Sequence, residues 1–165
     1  MAKRSPTALM LPSWQKLSRL PAGRWIFSRL VGVVIPYTGS VRADVLSLAP
    51  GHAIVGMKDR RRVRNHLNSV HAIALANLAE YTTGLATLSG MPEDARAILV
   101  GLNIRYESKA RGLITAECTA PVPTSNERCD YHVSVVLTDS SGVTVATADA
   151  HWLVGPVKTS DGDNT

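Results

Sequence analysis

The chain of 165 residues is 45% hydrophobic and 5% aromatic, which supplies one sizeable core and leaves too little length for a second. A net charge of +5 and a pI near 9.6 make it basic, yet the regular apolar spacing excludes a disordered basic tail as the whole protein. Basicity alone is a weak partner signal. With one Phe and no recognised binding motif, a nucleic-acid partner is disfavoured.

In chain order, residues 9 to 35 read as a helix or helix pair anchored by Leu9, Trp14, Leu17, Leu20, Trp25, Ile26 and Leu30 and divided at Pro21 and Gly23. The opening MAKR and the short apolar piece broken by Pro12, Lys16 and Arg19 do not read as a secretory signal. The run from Ile26 to Pro36 contains Arg29 and falls short of the roughly 20 residues that span a bilayer. The expected location is the cytoplasm. Trp14, Trp25 and Phe27 among basic residues would also fit a helix lying on a membrane surface, but such anchors more often pack on a domain's own core, so a membrane partner is disfavoured.

Weakly alternating segments at 41 to 49 and 53 to 64 flank a turn at Pro50-Gly51. A long helix follows in AIALANLAEYTTGLATLSGMP, apolar on nearly every face. After Gly90-Met91-Pro92 the period changes to two. Ile98, Val100, Leu102, Ile104 and Tyr106 are expected to face one way, with Leu99, Gly101, Asn103 and Arg105 on the other. The same period recurs at 112 to 120, at 130 to 138 and at 143 to 154, with a hairpin turn at Asp139 to Gly142. The order predicts an α+β fold in which one helix lies across a curved antiparallel sheet. It divides into an N-terminal helical extension (1–36), a main domain (37–156) and a polar tail (157–165). Cys118 and Cys129 read as buried free thiols; neither belongs to a zinc-binding spacing, so no metal is expected.

Glu80 is the only formally charged side chain between His71 and Glu93. An ionised carboxylate in an apolar helix is costly unless something pairs with it or uses it, which makes Glu80 the first candidate for chemistry. The polar run from Asn65 to His71 precedes the helix. It could simply cap the first free amides, or leave them as donors for a developing oxyanion. Glu80 stands about 12 Å along the axis from Ala72, so it cannot easily attack a carbonyl held by its own helix's amides. An antiparallel helix from a second copy would close that gap.

From Asn65 to Glu80 the sequence NHLNSVHAIALANLAE resembles the hotdog-fold superfamily. Within it, the sequence more closely resembles bacterial hotdog proteins labelled thioesterases, in which a strand-borne Asn precedes a His-Gly-Gly or His-Ala turn and a helical carboxylate follows. The nine-residue step from His71 to Glu80 is that of acyl-CoA thioesterases of the phenylacetyl-CoA and 4-hydroxybenzoyl-CoA type, and the likeness extends over most of residues 14 to 156. The resemblance implies a hotdog fold: a curved antiparallel sheet wrapped around one long helix. It also implies an acyl-CoA or acyl-carrier thioester substrate and a homodimer or dimer of dimers, with no cofactor. Asn65 then orients the thioester or water, and Ala72 and Ile73 offer backbone amides to the carbonyl. His71 plays an orienting part, and Glu80 is base or nucleophile. Ile73 replaces a glycine and Gly84 a hydroxyl found in some relatives, with Thr83 and Thr87 as nearby substitutes.

Arg60, Arg61, Arg62 and Arg64, with Lys109 and Arg111 later in the chain, form either a solvated, edge-protecting face or a site for coenzyme A phosphates. Two other readings remain open. One is a hydroxyacyl dehydratase using His66, fourteen residues before Glu80, although the proline-rich segment usual around such a His is absent. The other is a non-catalytic acyl-CoA binder.

Overall fold

The structure, a computed structural model, describes residues 6–157; the end of the expected tail lies outside them. Two helices open it, α1 (Met10–Leu17) and α2 (Gly23–Val34), followed by the single turn α3 (Pro36–Gly39). Strands β1 (Asp44–Ala49) and β2 (His52–Lys58) precede the long helix α4 (Ala72–Leu88). Four strands complete the chain: β3 (Ala95–Tyr106), β4 (Leu113–Thr119), β5 (Cys129–Thr138) and β6 (Thr144–Pro156). All six strands form one antiparallel sheet in the order β1-β2-β4-β5-β6-β3, and α4 packs against every one of them. This is the hotdog fold with an N-terminal helical extension.

Alternation along the strands supplies the inner face. Val133, Val135 and Leu137 of β5, Ile114, Ala116 and Cys118 of β4, and Val55 and Met57 of β2 are buried, with polar or exposed neighbours between them on β4 and β5. Leu75, Leu78 and Leu85 of α4 meet them. Small residues on the facing strands, including Ala146, Ala148 and Ala150, let the helix lie close. Gly84 serves the same packing: a Cβ there would stand 3.2 and 3.3 Å from the ring of Trp152, whose indole N–H donates to the Thr83 hydroxyl at 3.2 Å.

The expected alternation of β3 fails in its middle. The pairing with β6 shifts register between Leu99 and Gly101, a β-bulge. One extra residue exchanges the two faces. Ala97 and Leu99 before it, and Leu102 and Ile104 after it, turn toward the core, while Ile98, Val100 and Tyr106 are exposed. A second correction concerns the thiols, since Cys118 is buried but Cys129 is exposed. The basic stretch also departs from strand: β2 stops at Lys58, and Arg61–Val63 form a 3-10 turn.

The extension shares the main core. Trp14 and Phe27 meet edge-on, with centroids 5.2 Å apart, inside the same buried cluster as α4. The Ser28 hydroxyl accepts from the Val45 amide at 2.8 Å, and Arg29 binds Asp44 at 2.5 Å, fastening α2 to edge strand β1.

Leu78 is fully buried against the sheet, whereas Val136 lies exposed on its outer face. Leu78→Ala is expected to cost about 2–5 kcal/mol in urea unfolding through the cavity it leaves. Val136→Ala is expected to stay within about 0.5 kcal/mol.

Candidate active site

One stripe of α4 escapes the sheet. Ile73, Ala76, Asn77 and Glu80 follow each other at helical spacing, and together with Tyr37, Thr38, Leu99 and Leu102 they line a groove of about 400 Å³. A second groove of about 430 Å³ adjoins it through Tyr37, Ile73 and Asn77 and runs past the start of α4, where Arg62, Arg64 and His71 line it. The wall between helix and β3 owes its form to the bulge, which turns Leu99 and Leu102 to the same side.

Glu80 is half-buried on this stripe, so it faces the groove rather than the interior that its apolar helix implied. Desolvation raises its carboxyl above the ordinary value, and no hydrogen bond or ion pair reaches the carboxylate from any described residue. One turn back, Asn77 is buried and its Oδ1 has no hydrogen-bond partner among the described residues. A buried, unpaired amide oxygen beside an unpaired carboxylate marks a polar spot in an otherwise apolar wall. Asn77 was not among the candidates drawn from the sequence. The available signal was an Asn on a core-type helix three residues before the Glu.

The start of α4 is a true N-terminus with a histidine cap. His71 is extended (φ −67°, ψ 140°), and its Nδ1 accepts from the Ile73 amide at 3.1 Å. That bond occupies one of the two expected oxyanion donors. Among the described residues the Ala72 amide has no acceptor, while its carbonyl accepts from the Tyr106 hydroxyl at 3.1 Å. The Ile73 side chain lines both grooves.

Asn65 is placed differently from its expected role. Its Oδ1 accepts from the Leu67 amide and from the Ser69 amide and hydroxyl at 2.9–3.2 Å, which organises the 65–69 loop, and Asn65 lines neither groove. Nor do the expected hydroxyl substitutes reach Glu80's carboxylate. Thr83, fully buried, donates to the Glu80 backbone carbonyl, and Thr87 is buried with no partner for its hydroxyl among the described residues. His66 is exposed on the loop and lines neither groove.

The basic residues separate into different tasks. Arg60 turns inward and donates to the Val41 carbonyl, and Arg61 is exposed. Arg64 makes two bonds to Asp59 at 2.6 and 3.3 Å, which hold that carboxyl below its usual range. Arg111 donates to the Asn68 carbonyl at 3.3 Å, and Lys109 is exposed. Only Arg62 and Arg64 line the groove beside the helix start. Among the described residues, no group of three or more His, Cys, Asp and Glu side chains could hold a metal ion, and no helix is long and apolar enough to cross a membrane.

Residues 23–154 match the family described as Domain of unknown function (DUF4442). The chain belongs to the DUF4442 family. A structural-genomics crystal structure is 30% identical to this DUF4442 chain, with a TM-score of 0.77 over 91% of this chain and 100% of the other. A Pseudomonas aeruginosa protein of unknown function, named a probable thioesterase, is 22% identical, with a TM-score of 0.72 over 84% and 97%. A Streptococcus mutans protein solved with acetyl CoA bound is 20% identical, with a TM-score of 0.60 over 71% and 91%. No curated protein matches the chain.

The raised carboxyl sets a sign for stability. Burial favours the protonated Glu80 in the folded state, so its favourable contribution is full below the ordinary value of 4.5 and is lost as pH rises through the higher folded value. Glu80→Gln, neutral at every pH, is therefore expected to raise the melting temperature by a few degrees at pH 8 and to leave it unchanged at pH 4. A lower melting temperature at pH 8 would show that the carboxylate has a partner it depends on.

Proposed function

We propose that the protein hydrolyses acyl thioesters of coenzyme A or an acyl carrier, with Glu80 as general base or nucleophile at a site shared between two copies of the chain. The observation that carries this reading is an unpartnered, desolvated carboxylate on the one groove-facing stripe of a helix whose own start presents a free backbone amide. Support for the substrate class comes from the acetyl CoA bound to the S. mutans relative and from the name of the P. aeruginosa one.

In the base mechanism Glu80 takes a proton from water as the oxygen attacks the thioester carbon. The carbonyl oxygen becomes an oxyanion, and the Ala72 amide at the positive end of α4 is the donor aimed at it. Collapse expels the thiolate, which recovers the proton from Glu80. A base with a raised pKa suits both halves of this cycle near neutral pH. The roughly 12 Å between Ala72 and Glu80 on one helix assigns them to different sites, so the Glu80 that serves one Ala72 comes from another copy.

In this reading Arg62 and Arg64 at the groove's other end meet the phosphates of coenzyme A, with exposed Arg61 beside them in the chain and exposed Lys109 and Arg111 between β3 and β4 as further cations. Arg60 is excluded by its inward bond to Val41. Asn65 would act by shaping the loop before the helix rather than by touching substrate, and His71 by capping it. The dehydratase alternative has no support from the groove, because the His66 it needs does not line it.

Glu80→Gln is expected to lower thiol release from a panel of acyl-CoA substrates by about 10²–10⁴-fold, and an unchanged rate would end the assignment. Binding without turnover in the unaltered protein would favour a non-catalytic acyl-CoA binder. The acid limb of kcat/KM should lie above the ordinary glutamate range, rising as Glu80 ionises. Ala72→Pro probes the donor: position 72 is the first residue of α4 and His71 is already extended, so proline removes the N–H and leaves the helix intact. The expected loss is about 10²–10³-fold, with unchanged circular dichroism.

A further inference from the structure

We propose that the exposed apolar face of α2 and α3 docks the protein on an anionic lipid bilayer. The structure divides the aromatic anchors of the extension. Trp14 and Phe27 are buried in the core, whereas Trp25 is exposed. The buried side of α2, with Phe27 and Ser28, is fully engaged against the domain and β1. Its opposite side carries Ile26, Leu30, Val33 and Val34, and the line continues through Ile35 to Tyr37 on α3, all exposed. Val33 and Val34 are each 76% exposed. A continuous row of large apolar side chains in water marks a surface that something covers.

Charge identifies the occupant. Seven of the 18 Lys and Arg residues lie between Lys3 and Arg42, and no Asp or Glu precedes Asp44. The other eleven are distributed among all 13 acidic residues, so the net positive charge of the protein belongs to its first quarter. Arg29 is committed to Asp44, but Lys16, Arg19 and Arg24 are exposed on α1, α2 and the turn between them. At the other end of the row, Tyr37 shares the wall of a groove with Arg62. An apolar face, an exposed Trp and exposed cations with no acidic partner among the described residues are the composition of a helix seated at the boundary of an anionic leaflet. A second copy docked through the same face would bring these cations together instead. Docking would also bring Tyr37, and with it the groove beside Glu80, to the lipid surface where long-chain acyl thioesters partition. That consequence rests on the hydrolase reading; the docking does not.

The test uses the full chain, with sucrose-loaded vesicles of phosphatidylcholine alone or mixed with phosphatidylglycerol, and needs no thioester. The protein is expected to sediment with the mixed vesicles and to stay in solution with the neutral ones, binding less as salt rises. Each of Lys16→Gln, Arg19→Gln and Arg24→Gln is expected to weaken partition by about fivefold. Val33→Asp with Val34→Asp should abolish it while thermal melting and mass by light scattering stay unchanged, since both sites are on the surface. Failure to sediment with the mixed vesicles, or undiminished binding by the double aspartate variant, would overturn the proposal. A fall in solution mass on introducing the aspartates would overturn it too, by assigning the face to a second copy.

Discussion

The sheet surrounds α4 on all sides but one, and what lies on the uncovered line governs the rest of the molecule. The residues that α4 turns into the sheet are mostly apolar or hydroxyl-bearing, and apart from Thr87, whose hydroxyl has no partner among the described residues, its buried threonines bond locally: Thr82 to the Leu78 carbonyl and Thr83 between Glu80 and Trp152, while Ser89 at the helix end binds the Ala49 and Ala86 carbonyls. The remaining line, from Ile73 through Asn77 to Glu80, holds a carboxylate and an amide oxygen without partners among the described residues. Elsewhere in a core such groups would be a pure loss of stability. Confined to a groove, they are available to a ligand or to a second copy.

The same helix separates the two ends of the proposed site. In that reading its start supplies a backbone donor reinforced by the helix dipole, and Glu80, eight residues further along, supplies the proton acceptor. A rigid helix cannot bring them together. The exposed edge of β3 and its outward Ile98 and Val100 lie beside the groove wall formed by Leu99 and Leu102, so a partner approaching that edge would meet the groove as well. The bulge in β3 thus shapes both the wall of the site and the surface next to it.

The fold was legible because its signals are periodic. Two-residue alternation in β4, β5 and β6, a turn built on Asp139, and a long apolar segment between strands leave few arrangements other than a sheet curled around a helix. The bulge in β3 was not legible, since one inserted residue leaves the composition of the strand unchanged while reversing half of its side chains. At the site, Glu80 stood out through the contrast between a charge and its apolar surroundings. Asn77 did not, because an uncharged amide in a long helix reads as ordinary until its oxygen is seen buried and unpaired. The tasks of Asn65 and Arg60 were equally hidden. Both are polar residues near the helix start, and only the loop closure and the inward turn toward Val41 separate building roles from binding ones.

The central claim is that Ala72 of one chain and Glu80 of another make one site, and subunit mixing tests it directly. Glu80→Gln lacks the base, and Ala72→Pro lacks the donor. Each is expected to be nearly inactive alone. Unfolded together and refolded at equal amounts, they should form mixed dimers with one intact site, restoring about a quarter of the unaltered activity if subunits pair at random. No recovery, with mixed dimers shown to be present by mass spectrometry, would contradict the shared site.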